Sequence, residues 1–411
     1  LTMEIMKKGA DKHDLVCLLH EKPFEGINGS GKHNNWSMIT DDGVNLLDPG
    51  KTPSENIQFL VFLMAVIKAV DEYADLLRIS VASAGNDHRL GANEAPPAVV
   101  SIFLGDELTE VLKSIENDTY FTSHGAVQMD IGATVLPHFV KDNTDRNRTS
   151  PFAFTGNKFE FRMLGSAASV ANPNIVLNTA VAEALDQFAK ELDGVAPEDM
   201  EHAVHELIKR AIKKHKRVIF NGNGYTDEWI EEAKKRGLYN LKSTPDALPM
   251  WIAQKNIDLF TKHSIFTSEE LHSRYEIWLE NYSKTINIES NTMVEMVQKD
   301  LLPSVMSYIE EIASTASLKA SVVPGITCES ETALITKLSE LQDAMTKGLE
   351  KLKSDTAKAR ATEDVLENAK LYQAEVLEDM EELRKSADAA ETLIPDDLLP
   401  YPTYGKLLFY I

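Results

Sequence analysis

The hydrophobic positions change period along the chain, and those changes lay out the elements. A short apolar run at 14–19 predicts a strand leading into a Gly-rich loop. From about 55 to 77 the apolar residues are nearly continuous behind Ser54 and Glu55, which predicts a buried helix with Ser54 as N-cap. Apolar runs at 76–82 and 98–103 predict strands on either side of a polar loop, 85–97. Residues 157–163 alternate, with Lys158, Glu160 and Arg162 on one strand face and Phe159, Phe161 and Met163 on the other. That polar face is either an exposed sheet surface or the floor of an ionic site, and the pattern alone favours the exposed surface. A helical period then takes over. Leu177, Val181, Leu185, Phe188 and Leu192 mark a helix over about 175–192. Thr267 and Glu270 form a capping box ahead of Leu271, Ile277 and Trp278. Residues 323–326 read as a break. Beyond it Leu334, Leu338, Leu341, Met345, Leu349 and Leu352 recur at three- and four-residue steps. Val365, Ala369, Tyr372, Val376, Met380, Leu383 and Ala387 do the same. Two such seams joined by a polar turn at 354–362 predict an antiparallel helical hairpin over 328–392. A Pro-containing tail follows, extended and apolar enough to dock on a neighbour.

At 411 residues the chain is too long for one core, and two or three domains are expected. A net charge of -22 argues against nucleic-acid or anionic-membrane partners, so any anionic ligand has to be met by a local cluster of basic residues. Cys17 and Cys328 are the only cysteines, which excludes a disulfide scaffold or a cysteine zinc site and suits a reducing cytoplasm. The longest apolar run, 59–67, is too short to span a bilayer. Residues 1–6 read as the interior of a helix, with the expectation that the chain begins part-way through a larger protein.

Candidate chemistry starts at 22–37, where Gly26, Gly29 and Gly31 precede His33 and Ser37. Glycines there allow close backbone approach to an anion. The stretch imitates a phosphate-binding loop of nucleotide triphosphatases, but His33 stands where a magnesium-binding Ser or Thr belongs, and Pro23 suits a buried parallel strand badly. His202, His205 and Glu206 are expected on a solvated helix face. The cluster Lys209, Arg210, Lys213, Lys214, Lys216 and Arg217 is expected to pair with acids at a helix end. Residues 221–224 read as a turn. Region 141–162 is more informative, since Lys141, Arg146, Arg148, Lys158 and Arg162 outnumber Asp142, Asp145 and Glu160 inside an acidic chain. Arginine forks suit carboxylate and phosphate. Glu160 is either an ion-pair partner or a hard oxygen ligand for a divalent ion.

These residues together resemble the glutamine synthetase family. Lys22, Pro23, Asn28, Gly29, Gly31, His33 and Ser37 are similar to its ATP-region signature. In the family's order follow Arg89, Leu90, Glu94, Ala95 and Pro96, then Asn147, Arg148 and Thr149, then the strand Lys158–Glu160–Arg162 with Ala171, Asn172 and Pro173 behind it. The wording of 145–151 and the helical C-terminal region look like the type III branch. The resemblance implies an α+β fold: a partial antiparallel-sheet catalytic core, of the kind shared with guanidino kinases, in 1–215, then a helical insert at 216–325 and a helical hairpin with docking tail at 326–411. It implies an ATP-dependent glutamate–ammonia ligase that makes glutamine through γ-glutamyl phosphate, with Mg2+ or Mn2+, in a cytoplasmic homo-oligomer, a dodecamer of two hexameric rings. His33 and Glu160 would ligate a metal. Asn28, Gly29, Arg89 and Arg162 would bind glutamate, Ser37 and Lys158 would lie near ATP, Arg148 would meet the transferring phosphoryl group, and Glu94 would sit on a flap and help to deprotonate ammonium.

The departures are specific. Asn35 stands where many relatives carry a second histidine, Lys158 replaces an arginine, and one further arginine of the family has no direct counterpart, Arg146 being the candidate to stand in for it. The first-metal glutamates have no counterpart in 1–21, where Glu4 and Glu21 have the wrong context. The expectation is therefore a C-terminal portion, catalytically incomplete alone. Two other readings are a helical assembly module or inactive relative, and a guanidino kinase. The kinase requires a reactive cysteine, and Cys17 in an apolar run gives it little support.

Overall fold

The structure is a computed structural model and describes residues 1–19, 30–91, 95–119, 128–129, 139–140, 147 and 149–409. The chain forms two compact units, one of Glu21–Tyr275 and one of Leu1–His20 with Glu276–Ile411. Helices predominate, and the strands are few and short.

In the unit Glu21–Tyr275 a four-stranded sheet runs in the order β1 (Gly31–Trp36), β6 (Phe159–Gly165), β5 (Phe152–Phe154), β2 (Ile102–Phe103). A separate ribbon pairs β3 (Gln128–Met129) with β4 (Phe139–Val140). β1, β6 and β5 are antiparallel, as expected, but β2 joins β5 in parallel, so the sheet is mixed. On one face Phe152 stacks on Phe159 with centroids 4.7 Å apart, Phe154 meets Phe159 edge-on, and Phe59 reaches Phe154 from the helix Ile57–Glu72. Such offset and edge contacts add to the burial of large rings. The helix Ala171–Leu192 packs on β1, where Asn34 Nδ2 and Trp36 Nε1 donate to Asn174 and Asn178, each at 2.8 Å.

Several elements differ from the sequence expectation. The Ile57–Glu72 helix starts later than Ser54; its cap is Asn56, whose Oδ1 accepts from Phe59 N at 3.0 Å. Residues 76–82 are helical rather than extended, within Ala74–Ile79 and the turn after it. Every residue of that helix is buried, and a fully buried apolar run carries no period to tell helix from strand. The polar segment 85–97 likewise begins inside a helix, Ala84–Arg89. The basic helix end is paired as expected: Lys216–Glu116 and Arg217–Asp71 both stand at 2.7 Å, and Lys209 meets Asp118. His202 and His205 are exposed on that helix, Met200–His215.

The second unit is helical. The expected break falls after Leu302–Val322 and before Glu329–Arg360. The hairpin partner, Val365–Leu371, continues through a π-helical turn at Tyr372–Val376 into Leu377–Glu391. The connecting turn is shorter than expected, 361–364. Asp364 Oδ1 caps the return helix by accepting from Leu366 N and Glu367 N, and Asn368 Nδ2 donates back to Ala359 O at 2.7 Å. The seam buries Leu338, Met345, Leu349, Leu352, Ala369, Tyr372, Val376 and Leu383. Gly348 lets the helices approach, since a Cβ there would lie 3.1 Å from Leu383 Cδ1. Residues 14–19 form no strand, and Leu15 makes a single bridge with Phe409 beyond the short helix Tyr404–Leu408. No helix among the described residues is long and apolar enough to cross a membrane.

Candidate active site on the β1–β6 pair

The pairing of β1 with β6 is interrupted by a bulge. Lys32 lies opposite Leu164 and Asn34 opposite Phe161, so His33 alone faces both Arg162 and Met163. A bulge of this kind frees ladder groups and re-aims side chains. The freed groups are satisfied from outside the pair. Met163 O accepts from Asn86 Nδ2 at 2.9 Å and from Arg89 Nη2 at 2.7 Å. Arg162 N, on the other edge of β6, continues the ladder toward β5 by donating to Pro151 O at 2.9 Å.

Directly opposed residues share a face, so Asn35 and Glu160 lie on the side away from the phenylalanines. There His33 Nδ1 is 3.7 Å from Glu160 Oε2. Arg162 donates to that same oxygen through Nε at 3.3 Å and Nη2 at 3.1 Å, and through Nη1 to Asn147 O at 2.5 Å. Glu160 and Arg162 are buried, while the His33 side chain is 57% exposed. The polar face of this strand is therefore not the exposed surface that the alternation favoured. β6 is an interior strand of the sheet, with β1 and β5 on either side, and residue 147 lies over it. Burying a carboxylate and a guanidinium together satisfies each and leaves a fixed polar cluster opening at one imidazole. Burial lowers the His33 pKa, the Arg162 and Arg89 charges lower it further, and Glu160 opposes them. The imidazole is thus held toward its neutral, metal-competent form.

Arg89 belongs to the same cluster. It ends the helix Ala84–Arg89, is 3% exposed, and donates from Nε to Asn86 Oδ1 at 2.9 Å. It lies against Gly31, where a Cβ would sit 2.8 Å from Nη1. A side chain at 31 would therefore press on the Arg89 guanidinium. At the other end of the ladder, Ser37 Oγ donates within 2.8 Å of Asn45 Oδ1 and 3.0 Å of Asn157 O, which ties β1 to the turn that delivers the half-buried Lys158. The structure brings His33, Arg89, Glu160 and Arg162 together and places Ser37 and Lys158 farther along the same strand pair. Asn28, Gly29, Glu94, Arg146 and Arg148 lie outside the described residues. Sequence reasoning gave no role to Asn86 or to the Asn147 side chain. For Asn147 the available signal is the spacing Asn-x-Thr, in which Asn147 Oδ1 accepts from Thr149 N at 3.1 Å in an Asx turn.

Among the described residues no group of three or more His, Cys, Asp or Glu side chains converges on a metal-sized space. His33 and Glu160 fit as two donors. Ligands about 2.1 Å from one ion stand about 3 Å apart when adjacent and about 4 Å when opposite. Their separation of 3.7 Å lies between these limits. Divalent magnesium commonly takes few protein ligands and completes its shell with water and phosphate oxygens.

A family model described as glutamine synthetase C-terminal domain matches residues 203–319. A glutamine synthetase of Butyrivibrio fibrisolvens is 56% identical over the whole chain, a type-3 glutamine synthetase of Dictyostelium discoideum 46%, and a glutamine synthetase of Bacteroides fragilis 38%. The chain spans 58%, 56% and 57% of those proteins respectively, a little over half their length. Identity at this level runs along every residue of the chain, so the chain is similar throughout to proteins named glutamine synthetase, one of them of type 3.

Proposed function

We propose that the chain forms the nucleotide-facing part of the active site of a type III, ATP-dependent glutamate–ammonia ligase that works through γ-glutamyl phosphate. The observation that supports this best is the convergence of His33, Glu160, Arg162 and Arg89 at one bulge of a buried strand pair. The reaction brings the γ-carboxylate of glutamate against the γ-phosphoryl group of ATP, so two anions have to approach. Arg162 and Arg89 present positive charge already fixed by hydrogen bonds to the fold, which leaves little reorganisation for the moment of reaction. On this reading Arg89, Arg162, Asn28 and Gly29 hold glutamate, Ser37 and Lys158 lie toward ATP, Arg148 meets the transferring phosphoryl group, and Glu94 accepts a proton from ammonium. A bound Mg2+ or Mn2+, held by His33 and Glu160, would neutralise phosphate charge.

The test is glutamine formation from glutamate, ammonium and ATP by the protein carrying this chain, with hydroxylamine used to trap the acyl phosphate as hydroxamate. Glu160→Gln is expected to lower both yields about 100-fold or more. Wild-type turnover in that variant at ordinary magnesium overturns the residue assignment, and a wild-type protein that makes no glutamine overturns the ligase reading.

A second reading gives the helical unit mainly an assembly role. It is favoured by Leu318, Val322 and Val323, which are 66%, 76% and 51% exposed around the end of the Leu302–Val322 helix. Light scattering separates the two contributions. Loss of the expected dodecamer, without loss of turnover, on removing residues 326–411 supports assembly alone.

A further inference from the structure

The turn Asn221–Gly224 joins three segments of its unit. Asn221 Oδ1 accepts from Leu104 N at 3.1 Å and Gly105 N at 3.3 Å, and its Nδ2 donates to Thr109 Oγ1 at 2.8 Å and Gly105 O at 3.3 Å. The side chain thus fastens the turn to the end of β2 and the start of the helix Asp106–Glu116. The preceding Phe220 stacks on buried Trp229 with centroids 3.7 Å apart and folds over Gly222, where a Cβ would lie 2.6 Å from its ring.

The main chain of this anchored turn faces 147–149. Asn147 Nδ2 donates to Asn221 O at 3.1 Å and to Gly222 O at 2.6 Å. Thr149 Oγ1 accepts from Gly224 N at 2.8 Å and donates to Asn147 Oδ1 at 2.7 Å. A Cβ on Gly224 would stand 2.9 Å from Thr149 O, so the approach is as close as the backbone allows. Asn147 O then accepts from Arg162 Nη1. A continuous line of hydrogen bonds runs from the turn through Thr149 and Asn147 to the guanidinium.

We propose that Thr149 and Asn147, held by the Asn221–Gly224 turn, are positioning residues that aim Arg162 at the carboxylate of the substrate glutamate. Arg162 is gripped on two sides, by Glu160 through Nε and Nη2 and by Asn147 O through Nη1. Glu160 alone leaves the fork free to pivot about one oxygen; the Asn147 carbonyl removes that freedom. The inference rests on the ligase reading above.

The experiment compares Thr149→Val with Thr149→Ser in the full protein. Valine keeps the shape and removes both hydroxyl bonds; serine restores the hydroxyl. The expected result for valine is a rise of about tenfold or more in KM for glutamate, with KM for ATP changed less than about twofold, and a return toward wild type with serine. Asn147→Asp, which keeps the Oδ1 acceptor and loses the Nδ2 donor, is expected to show the same split and stands in if the valine variant does not fold. An unchanged glutamate KM in an active wild-type background overturns the inference alone, as does a parallel rise in both KM values that serine does not reverse. A wild-type protein that makes no glutamine overturns the ligase reading and this inference with it.

Discussion

At the scale of single residues the site is a set of close approaches and fixed donors. Gly31→Ala sets a methyl 2.8 Å from Arg89 Nη1, and Arg89 is too enclosed to move away freely. On the proposed ligase reading the variant is expected to raise the glutamate KM in the same direction as Arg89→Ala, measured by steady-state kinetics, and an unaltered value contradicts the placement. Phe159, fully buried and in ring contact with Phe152 and Phe154, is expected to cost about 3–5 kcal/mol on truncation to alanine, read by chemical denaturation. The types and faces of Lys158, Glu160 and Arg162 were legible from a two-residue period. The burial of Glu160 and Arg162 was not, because alternation says which side chains share a face and nothing about what covers it. The covering groups come from elsewhere in the chain: Asn147 is 15 residues before Arg162, and Asn86 is 77 before Met163.

At the scale of elements, what could be read depended on whether the signal was local. The Thr267–Glu270 capping box appears as expected, with Thr267 N donating to Glu270 Oε2 at 2.8 Å and Glu270 N to Thr267 Oγ1 at 3.2 Å. The hairpin seams were also clear, since heptad-like spacing over long helices is redundant. Helix starts were less so: Ser54 and Asn56 are both good caps by type, and only the fold selects Asn56. Asn56→Ala is expected to cost about 1 kcal/mol by loss of the bond to Phe59 N. In the hairpin, burial and then a hydrogen bond with Asp379 raise the Asp355 pKa. A carboxyl raised on folding supports the folded form below its unfolded value, and that support is lost as pH rises through the folded value. Asp355→Asn is therefore expected to slow amide exchange across 345–360 and 372–387 at neutral pH. Faster exchange in that variant contradicts the pairing.

At the scale of the whole molecule, a charge of -22 makes local cation placement decisive. Lys262 bridges Glu183 at 2.6 Å and Asp186 at 2.8 Å, linking the helices Gln254–Lys262 and Ala171–Leu192. Hydrogen bonds from Lys190 and Lys262 bring Asp186 down to about 2. Burial pushes Glu183 up, but bonds from Lys262, Gln187 and His263 together outweigh it and hold it low. Carboxyls depressed on folding contribute fully above their unfolded values and lose that contribution as pH falls through the folded ones. Helix loss followed by circular dichroism from pH 4 toward 2 is expected to begin at higher pH in Lys262→Met than in wild type, and coincident curves contradict the link. The bulge opposite His33 has a consequence of another kind. A regular ladder can slide by one residue and exchange its faces, whereas a ladder with one surplus residue has a notch that matches a single alignment. If β6 slipped one step along β1, a phenylalanine ring would stand where Glu160 meets Asn35, and Met163 O would leave the reach of Asn86 and Arg89. The irregularity that opens the polar cluster is thus also the stop that prevents the strands from pairing out of phase.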